Sequence, residues 1–313
     1  MVKDRIWRLA QVAKMYYEEN LTQESIAKRL RISRSTISRL LESAKRNGIV
    51  EVKIHFPWQR AEDLEKKLCK RYTLKTARVL KTVAQASDDE IVEGLGILAA
   101  QYFSEIVEPN TIVAITSGKS IYQMVNALDI QNLNLTVVQV MGVINCENPL
   151  IDGPELAQLM VHHLGGRYIY MQAPFVIKDP EVHRRLYAEQ PFLDVIDNVK
   201  NANYALIGIG SVDPQDSNLL RTGFSYESLV NLNHQGAVGE IGGQSYNILG
   251  QPVQSDLDQK PVSIDLKYFK DIPTVIAIAG GPTKVEAIQG ALAGRYFDVL
   301  VTDQGTAETL LGR

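Results

Sequence analysis

The sequence is poor in cysteine and contains no long apolar run. Its 313 residues include only two cysteines, Cys69 and Cys146, too few for a disulfide framework and without the clustered spacing of a zinc site. A membrane helix needs about 20 consecutive apolar residues, and no such stretch is present. The first residues, MVKDRIWRLAQ, interrupt their apolar positions with charges, unlike a secretion signal. These absences predict a cytoplasmic protein with reduced thiols, no metal site and no membrane contact.

Charge is unevenly distributed along the chain. The formal net charge is -3, but residues 1–60 hold 13 Lys and Arg against 6 Asp and Glu, whereas the remainder holds 20 against 30. At about 150 residues per domain, the length suggests two domains. A basic segment on an acidic chain is typical of a nucleic-acid-binding module joined to a larger domain.

The basic segment has the pattern of a winged helix-turn-helix. Apolar residues at helical spacing predict three helices, over residues 6–17, 22–30 and 33–46. Thr22 and Ser33 are good N-caps for the second and third helices. Residues 49–56 then alternate apolar and polar side chains, as a half-buried strand does, and this strand would be the wing.

The third predicted helix has one polar, basic face. Ile37, Leu41 and Ala44 point inward and leave hydroxyl and guanidinium groups on the opposite side. Such groups fit the major groove, where Arg binds guanine edges and Ser or Thr binds bases or phosphates. The predicted DNA-binding residues are Arg34, Ser35, Thr36, Ser38 and Arg39, with Lys53 of the wing as a phosphate contact. The alternative is a solvated face on a module that binds protein.

A short helix with a narrow apolar stripe follows the predicted DNA-binding segment, residues 1–56, which we call the head. Residues 60–72 place Ala61, Leu64, Leu68 and Tyr72 at three- and four-residue steps. The stripe either pairs with its copy in a second subunit or lies on the larger domain, and pairing would present two heads to two half-sites. We therefore predict three segments: a DNA-binding domain over residues 1–56, a linker helix over 57–75, and a larger domain over 76–313.

The larger domain alternates short apolar runs with helical patterns. This rhythm predicts a parallel α/β sheet with helices on both faces, which binds ligands beyond the carboxyl ends of its strands. Residues 116–120 follow a predicted strand and open a helix, so their hydroxyls and free N–H groups suit a phosphate. Residues 208–211 and 280–284 form two further candidate corners.

Taken together, these stretches resemble the SorC family of sugar-binding transcriptional regulators. In the head the matching residues are 13–17, 21–27, 37–41 and 48–50. In the larger domain the matching residues are 137–139, 208–210, 236–240, 279–281 with Lys284, and 300–303. The resemblance covers nearly the whole chain. It implies a Rossmann-like effector-binding and oligomerisation domain related to sugar-phosphate isomerases and deaminases, a homodimer or homotetramer, and a phosphorylated sugar or polyol as effector.

The resemblance also implies which residues bind that effector. The phosphate would lie on Thr116, Ser117, Gly118, Lys119 and Ser120, with Lys284 nearby. The sugar would face Gln139, Gly142, Gly210 and Glu240, with Arg221 as a further member. Some relatives bind their effector as an imine of a lysine at the position of Met141, so methionine there predicts noncovalent binding. Ser117 stands where relatives often have a bulky aromatic residue.

The leading hypothesis is a DNA-binding regulator rather than an enzyme, with operator DNA and a phosphorylated sugar as partners and no cofactor. Kinship of fold permits a second hypothesis, a sugar-phosphate isomerase or deaminase with a DNA-binding head. Against it, the sequence has no Asp-x-His pair of the sort that deaminase sites of this fold use. A head that binds protein instead of DNA is the third hypothesis.

Overall fold

The computed structural model describes residues 2–50, 58–82, 86–144, 151, 154–254 and 260–312. The chain divides into two compact units, Met1–Pro57 and Trp58–Arg313. Among the described residues, every helix is too short or too polar to cross a bilayer.

The first unit is a three-helix bundle. Its helices are α1 (Val2–Tyr17), α2 (Gln23–Leu30) and α3 (Arg34–Arg46). The Thr22 and Ser33 side chains each accept a hydrogen bond from the backbone N–H three residues on, at 3.2 and 3.1 Å, as N-caps do. Val12, Ile26 and Ile37 are fully buried between the helices. The predicted helix-turn-helix is confirmed, with α1 beginning four residues earlier than its apolar pattern indicates.

The predicted wing lies largely outside the described residues. Ile49 and Val50 are described; they form bends and pack beside Ala44. Lys53 lies outside the described residues, so its placement as a phosphate contact stays a prediction.

The second unit is built on a seven-stranded parallel sheet. Its strands, with those of two smaller sheets, are β1 (Thr76–Leu80), β2 (Ile112–Ile115), β3 (Leu135–Gln139), β4 (Gly166–Ile169), β5 (Val176–Ile177), β6 (Tyr204–Gly208), β7 (Gly210–Ser211), β8 (Ala237–Ile241), β9 (Gln244–Asn247), β10 (Lys260–Pro261), β11 (Thr274–Ile278) and β12 (Val299–Asp303). The main sheet has the order β1-β12-β11-β6-β2-β3-β4, β5 pairs with β10, and β7, β8 and β9 form an antiparallel sheet. The predicted α/β class is thereby confirmed.

Helices cover both faces of the main sheet. They are α4 (Glu62–Tyr72), α5 (Asp88–Ile106), α6 (Lys119–Asn126), α7 (Glu155–Leu164), α8 (Pro180–Leu186), α9 (Gln190–Lys200), α10 (Tyr226–His234), α11 (Val285–Gly294) and α12 (Gln304–Leu310). One apolar layer joins α5, α6 and α7 to the sheet, and the other joins α4, α9, α11 and α12. Because both faces are covered, strands such as TVIAI are continuously apolar rather than alternating.

Helix α4 belongs to this second unit. Leu64 and Leu68 are buried against the sheet. Of the two alternatives for the apolar stripe of this helix, the structure therefore shows the stripe packed on the larger domain. The Arg60 Nε–H donates to the Glu65 carboxylate at 2.9 Å, and the same carboxylate accepts the backbone N–H of Val79 at 2.9 Å. The Glu65 carboxylate thus satisfies a backbone N–H of the edge strand β1 and links α4 to that strand.

Helix α5 is packed unusually closely at two glycines. A Cβ built on Gly94 would lie 3.1 Å from the Trp58 indole, and one built on Gly96 would lie 2.5 Å from the Gln123 Cβ of α6. These positions need glycine because a neighbouring side chain or helix occupies the space of a methyl group. Gly94 and Gly96 are therefore packing residues within α5.

Some element boundaries differ from the predictions. The apolar run at residues 168–171 predicts a strand there, but β4 covers residues 166–169, because the backbone of Gly166 fits against Leu135 where a Cβ would lie 1.9 Å from the Leu135 carbonyl oxygen. Residues 283–293 have the pattern of a helix, which in the structure starts as a 3-10 turn, Pro282–Lys284, before α11. The two small sheets were not predicted, since β5, β7 and β10 have two residues each and the polar residues of β8 and β9 interrupt any continuous apolar run.

Candidate functional site

A cavity of about 170 Å³ opens at the carboxyl ends of four neighbouring strands of the main sheet. Parallel register brings these ends together, with Ile115 of β2 opposite Gln139 of β3 and Ile278 of β11 opposite Gly208 of β6. The sequence-predicted residues that line the cavity are Ser117, Gly118, Lys119, Ser120, Gly210, Glu240 and Lys284. Met141, two residues beyond the end of β3, lines it too.

One end of the cavity is the N-terminus of α6. Gly118 is the N-cap residue, with φ of 123°, and open space surrounds the position of a Cβ. Glycine has no side chain to cap the helix, so the N–H groups of the first turn face the cavity without a side-chain acceptor from their own cap. The Gly118 N–H itself donates to the Ile151 carbonyl at 2.9 Å. This end therefore combines a helix dipole with the hydroxyls of Ser117 and Ser120.

Two side chains at this end have partners. The Ser117 hydroxyl donates to the Met141 sulfur at 3.3 Å, a weak bond that a better acceptor would displace. The Lys119 ammonium lies 3.6 Å from Asp89, and both side chains are exposed. An exposed pair of this kind contributes at most about 1 kcal/mol, so Lys119 can turn to an anionic ligand at little cost.

The other end of the cavity contains Glu240 and Lys284. The Glu240 carboxylate accepts the Gly243 N–H at 2.6 Å and lies against Gly210, where a Cβ would come within 1.8 Å of it. Burial raises the pKa of Glu240 above its ordinary value, although the Gly243 N–H and the charge of Lys284 act in the opposite direction. Burial lowers the pKa of Lys284, while Glu240 and Asp216 act to raise it.

The predicted corner at residues 280–284 is largely occupied by the protein itself. The Gly281 N–H donates to the Asp303 carboxylate at 2.7 Å and to the Thr306 hydroxyl at 2.9 Å. Asp303 is buried and also accepts the backbone N–H and the hydroxyl of Thr306. This corner contributes Gly280 and Lys284 to the cavity lining, while its Gly281 N–H is already bonded to a carboxylate and a hydroxyl of the protein.

Four predicted effector residues do not line the cavity. The buried Thr116 hydroxyl accepts the Gly208 N–H at 3.0 Å, which ties the corner to β6. Gly142 packs against the Pro174 carbonyl, 2.8 Å from a built Cβ. Arg221 is exposed, on the 3-10 turn Asn218–Thr222 that contributes other residues to the lining.

Gln139 is the fourth of these residues, and it is enclosed within the domain. Its side chain is 1% exposed, and neither its amide nitrogen nor its amide oxygen has a hydrogen-bond partner. It follows Leu135 and Val137 at strand spacing, so it belongs to the face that α6 and α7 cover. The family resemblance implied that Gln139 faces the sugar, whereas in the structure its side chain does not line the cavity.

Other lining residues were not predicted. They are Val92 and Leu95 of α5, Ile144, Phe175, Asn218, Leu219, Thr222, Gly242 and Gly243. Val92 and Leu95 fit the apolar pattern of an ordinary packed helix. The residues of the 3-10 turn lie in a segment without periodicity, and nothing in their order indicates that they return to the sheet edge.

A second cavity, of about 770 Å³, shares Gly243 with the first. Although larger, it is lined by none of the predicted effector residues. Several of its charged groups serve the protein itself: Asp179 caps α8, and Glu181 binds Arg184 and Arg185. We therefore place the candidate site in the smaller cavity.

On the first unit, the predicted DNA-binding face of α3 is open to solvent. Arg34, Ser35 and Arg39 are exposed, and Thr36 and Ser38 are half-buried. The Ser33 hydroxyl lies 2.9 Å from that of Ser35 and 2.7 Å from that of Thr36, so these short side chains are held at the start of the helix. Such a face is accessible to a duplex.

Known proteins match both units. The family model Sugar-bind, a sugar-binding domain, matches residues 57–312, and the model for region 4 of sigma-70 matches residues 8–47. The deoxyribonucleoside regulator of Bacillus subtilis (strain 168) is 30% identical over 304 residues, 96% of each chain. The transcriptional regulator LsrR of Enterobacter sp. (strain 638) is 32% identical over 309 residues, which cover 97% of this chain and 92% of LsrR.

The fold comparison agrees with the sequence comparison. The crystal structure of the full-length sorbitol operon regulator SorC from Klebsiella pneumoniae superposes with a TM-score of 0.73 at 28% identity, covering 98% of this chain and 99% of that one. Its coverage includes both the helix-turn-helix unit and the α/β unit. The chain therefore belongs to the SorC family of sugar-binding transcriptional regulators.

Proposed function

We propose that this regulator controls a carbohydrate-utilisation operon and that its effector is a phosphorylated sugar or polyol, bound noncovalently in the cavity between α6 and Lys284. The observation that carries the proposal is the glycine-capped N-terminus of α6, which opens into the cavity beside the hydroxyls of Ser117 and Ser120. A helix N-terminus with free N–H groups is a favourable place for a phosphate.

The opposite end of the cavity suits the rest of such an effector. Glu240 can accept hydrogen bonds from sugar hydroxyls, and Lys284 can donate to them. Met141 offers a thioether where an amine would be needed for an imine at that position, so binding there is noncovalent. Thr116, Gln139, Gly142 and Arg221 act indirectly in this proposal, by shaping the elements around the cavity.

We further propose that Arg34, Ser35, Thr36, Ser38, Arg39 and Lys53 contact operator DNA. Under this proposal residues 1–56 bind DNA, and residues 76–313 bind effector and assemble a homo-oligomer in the cytoplasm, where the operator is. Effector binding changes the operator affinity of that assembly. Linkage then requires operator DNA to change effector affinity by the same factor, typically about 5- to 150-fold.

The test of the effector class is a thermal-shift screen of sugars and polyols, each in its free and phosphorylated form. A ligand that binds only the folded state raises the melting temperature, by an amount that grows with its concentration over its Kd. We expect hits confined to phosphorylated members. Shifts with the free sugars alone would contradict the phosphate proposal, and turnover of a hit would favour the enzymatic alternative.

A pair of variants at Ser120 locates the phosphate. Ser120→Asp places a carboxylate in the first turn of α6, where it is favourable for the helix but repels a phosphate. We expect it to fold and to lose the shift, whereas Ser120→Asn, without the charge, should lose less of it. Equal shifts in both variants would contradict a phosphate site at this corner.

Borohydride treatment with a hit that has a carbonyl group should leave the protein mass unchanged, since no imine forms.

A further inference from the structure

Helix α1 is apolar on two sides. One side forms the core of the head, where Leu9 and Val12 are at most 2% exposed and pack against residues of α2 and α3. The opposite side carries Ile6, Trp7 and Tyr17, which are 51%, 69% and 40% exposed. A helix with one buried face usually turns polar residues to the solvent, so a second apolar side indicates a partner.

Four exposed residues run along this second side, and we call them the outer stripe: Trp7, Ala10, Lys14 and Tyr17. They follow one another at three- and four-residue steps, which is the spacing along the seam of a coiled coil. The Tyr16 ring lies edge-to-face against the Tyr17 ring, with 4.9 Å between the centroids, and holds it at one end of the stripe. The outer stripe therefore has the periodicity of a surface that receives a second helix.

The order of residues in the outer stripe indicates that this second helix is another copy of α1. Trp7 and Tyr17 lie equally far from the middle of the stripe, as do Ala10 and Lys14. An antiparallel copy therefore sets Trp7 opposite Tyr17 of that copy, and Ala10 opposite Lys14. The two rings form an aromatic pair, and the small Ala10 leaves room for the aliphatic part of the lysine, whose ammonium can lie over an indole face. Such a contact is isologous, as the interface of a two-fold dimer is.

The exposed area of the outer stripe is too small to hold a dimer by itself. A completely covered aromatic side chain buries about 150–250 Å², and part of Trp7 and Tyr17 is already covered within the head. A stable interface needs about 1,200–2,000 Å² in total. The stripes can therefore pair only between heads that other contacts hold close together at a high effective concentration. The homo-oligomer proposed for the larger domain supplies such a tether.

From these observations we infer that the heads of two subunits pair through the outer stripes of their α1 helices, antiparallel and about a two-fold axis. The inference rests on the homo-oligomer of the proposed function and adds the surface that joins its heads. The two-fold axis relates the two α3 helices, so the operator of such a pair is an inverted repeat of one half-site.

Cysteine cross-linking tests this pairing in the full-length protein. Cys69→Ser and Cys146→Ser first remove the native thiols. Ala10→Cys with Lys14→Cys then puts thiols at positions that the antiparallel pair brings together. A disulfide usually requires Cα atoms about 4.4–6.8 Å apart, so we expect mild oxidation to join two subunits covalently.

The matched control is Glu24→Cys with Lys28→Cys on α2. Both residues are exposed and have the same four-residue spacing, but they lie outside the outer stripe. We expect several-fold less covalent dimer from this control under the same oxidation. Equal yields, or no dimer from the α1 variant, would overturn the inference. Light scattering before oxidation separates two failures, because an oligomer without the cross-link refutes the pairing alone, whereas a monomer refutes the proposed homo-oligomer.

Quenching of Trp7 fluorescence by acrylamide tests whether the outer stripe is covered at all. In a Trp58→Phe protein, Trp7 is the only tryptophan. We expect its quenching constant in the oligomer to lie several-fold below that of a free tryptophan amide, and to rise when Tyr17→Glu places a charge in the stripe. Quenching equal to that of the free amide would overturn the inference. Protection of Trp7 without the cysteine cross-link would overturn it as well, since a different surface would then cover the stripe.

Discussion

The surroundings of Glu240 disfavour the charged form of its side chain. Its carboxylate is held by the Gly243 N–H, yet burial raises its pKa above the ordinary 4.5. A group whose pKa is raised on folding holds its proton to higher pH in the folded than in the unfolded state. Its stabilising effect is complete below the ordinary pKa and is lost as pH rises through the folded-state pKa.

The sign of this shift gives a prediction about pH. Above pH 4.5, the free energy of unfolding should fall with rising pH until the folded-state pKa of Glu240 is passed, relative to a protein that lacks the group. Glu240→Gln cannot ionise, so its stability should fall less over the same range. Urea unfolding of both proteins at half-unit pH steps measures the difference. Parallel curves would mean that Glu240 titrates as it does in the unfolded chain.

Arg39 is an exposed guanidinium on the polar face of α3. If it binds a guanine edge, Arg39→Ala should weaken operator binding by about 1 to 3 kcal/mol and weaken random duplex binding much less. Lys53→Ala should instead weaken both by the same factor, as expected for a phosphate contact. Gel-shift titrations on operator and random duplex give the four comparisons. Equal losses in both variants on both duplexes would refute this division of roles.

At the residue scale, the sequence predicted the corner at 116–120 because its signal is local. A glycine and hydroxyl residues between a strand and a helix are visible in the order of residues alone. Gln139 shows the limit: it lies at the end of β3, but strand parity directs its side chain into the layer under α6 and α7. Asn218 and Thr222 line the cavity because of the tertiary fold, and no pattern among neighbouring residues in the sequence predicts their position there.

At the element scale, the position of α6 depends on its contact with α5. Gly96 lies so close to α6 that an added Cβ would come within 2.6 Å of the Gln123 carbonyl carbon and 2.8 Å of the Met124 nitrogen. These are backbone atoms, so the helices must separate to admit a methyl group. The helix that presents the phosphate corner would move with them.

Gly96→Ala should therefore be destabilising despite the better helix propensity of alanine. Overpacking costs about 1 to 3 kcal/mol, against a gain of up to about 1 kcal/mol from propensity. We expect the melting temperature to fall by about 2 to 8 °C. Gly305→Ala on α12 is the matched control, because its nearest neighbour, the Asp303 carboxylate, is 3.4 Å away. A melting temperature of Gly96→Ala at or above that of Gly305→Ala would contradict the packing argument.

Elements with a long apolar pattern were predicted well, and short ones were not. The 19 residues of α5 and the apolar runs of β2, β3 and β11 give strong signals of length and period. The two-residue strands β5, β7 and β10 exist only because partners distant in sequence pair with them. The surface on which the apolar stripe of α4 packs likewise depends on tertiary contacts, so the sequence alone left it open.

At the scale of the whole molecule, the uneven charge of the sequence corresponds to two separate units. The basic residues of the first unit whose side chains the structure describes, among them Lys45 and Arg46, are exposed. Each phosphate that they neutralise releases condensed counterions, so operator binding should weaken steeply with salt.

The salt prediction separates DNA binding from protein binding by the head. With six or more phosphate contacts, raising salt from 50 to 200 mM should weaken operator binding by about 10³-fold or more. Fluorescence anisotropy of a labelled operator measures the slope. A binding constant that barely changes would favour a head that recognises protein.

Trp58 makes the intrinsic fluorescence of the larger unit a measure of the surroundings of α5. Gly94 of α5 contacts the indole, and one turn of the same helix brings Val92 and Leu95 to the cavity. The only other tryptophan, Trp7, belongs to the first unit and is 69% exposed. In a Trp7→Phe protein, emission comes from Trp58 alone, so a ligand that displaces α5 should register as a wavelength shift without any dye or label.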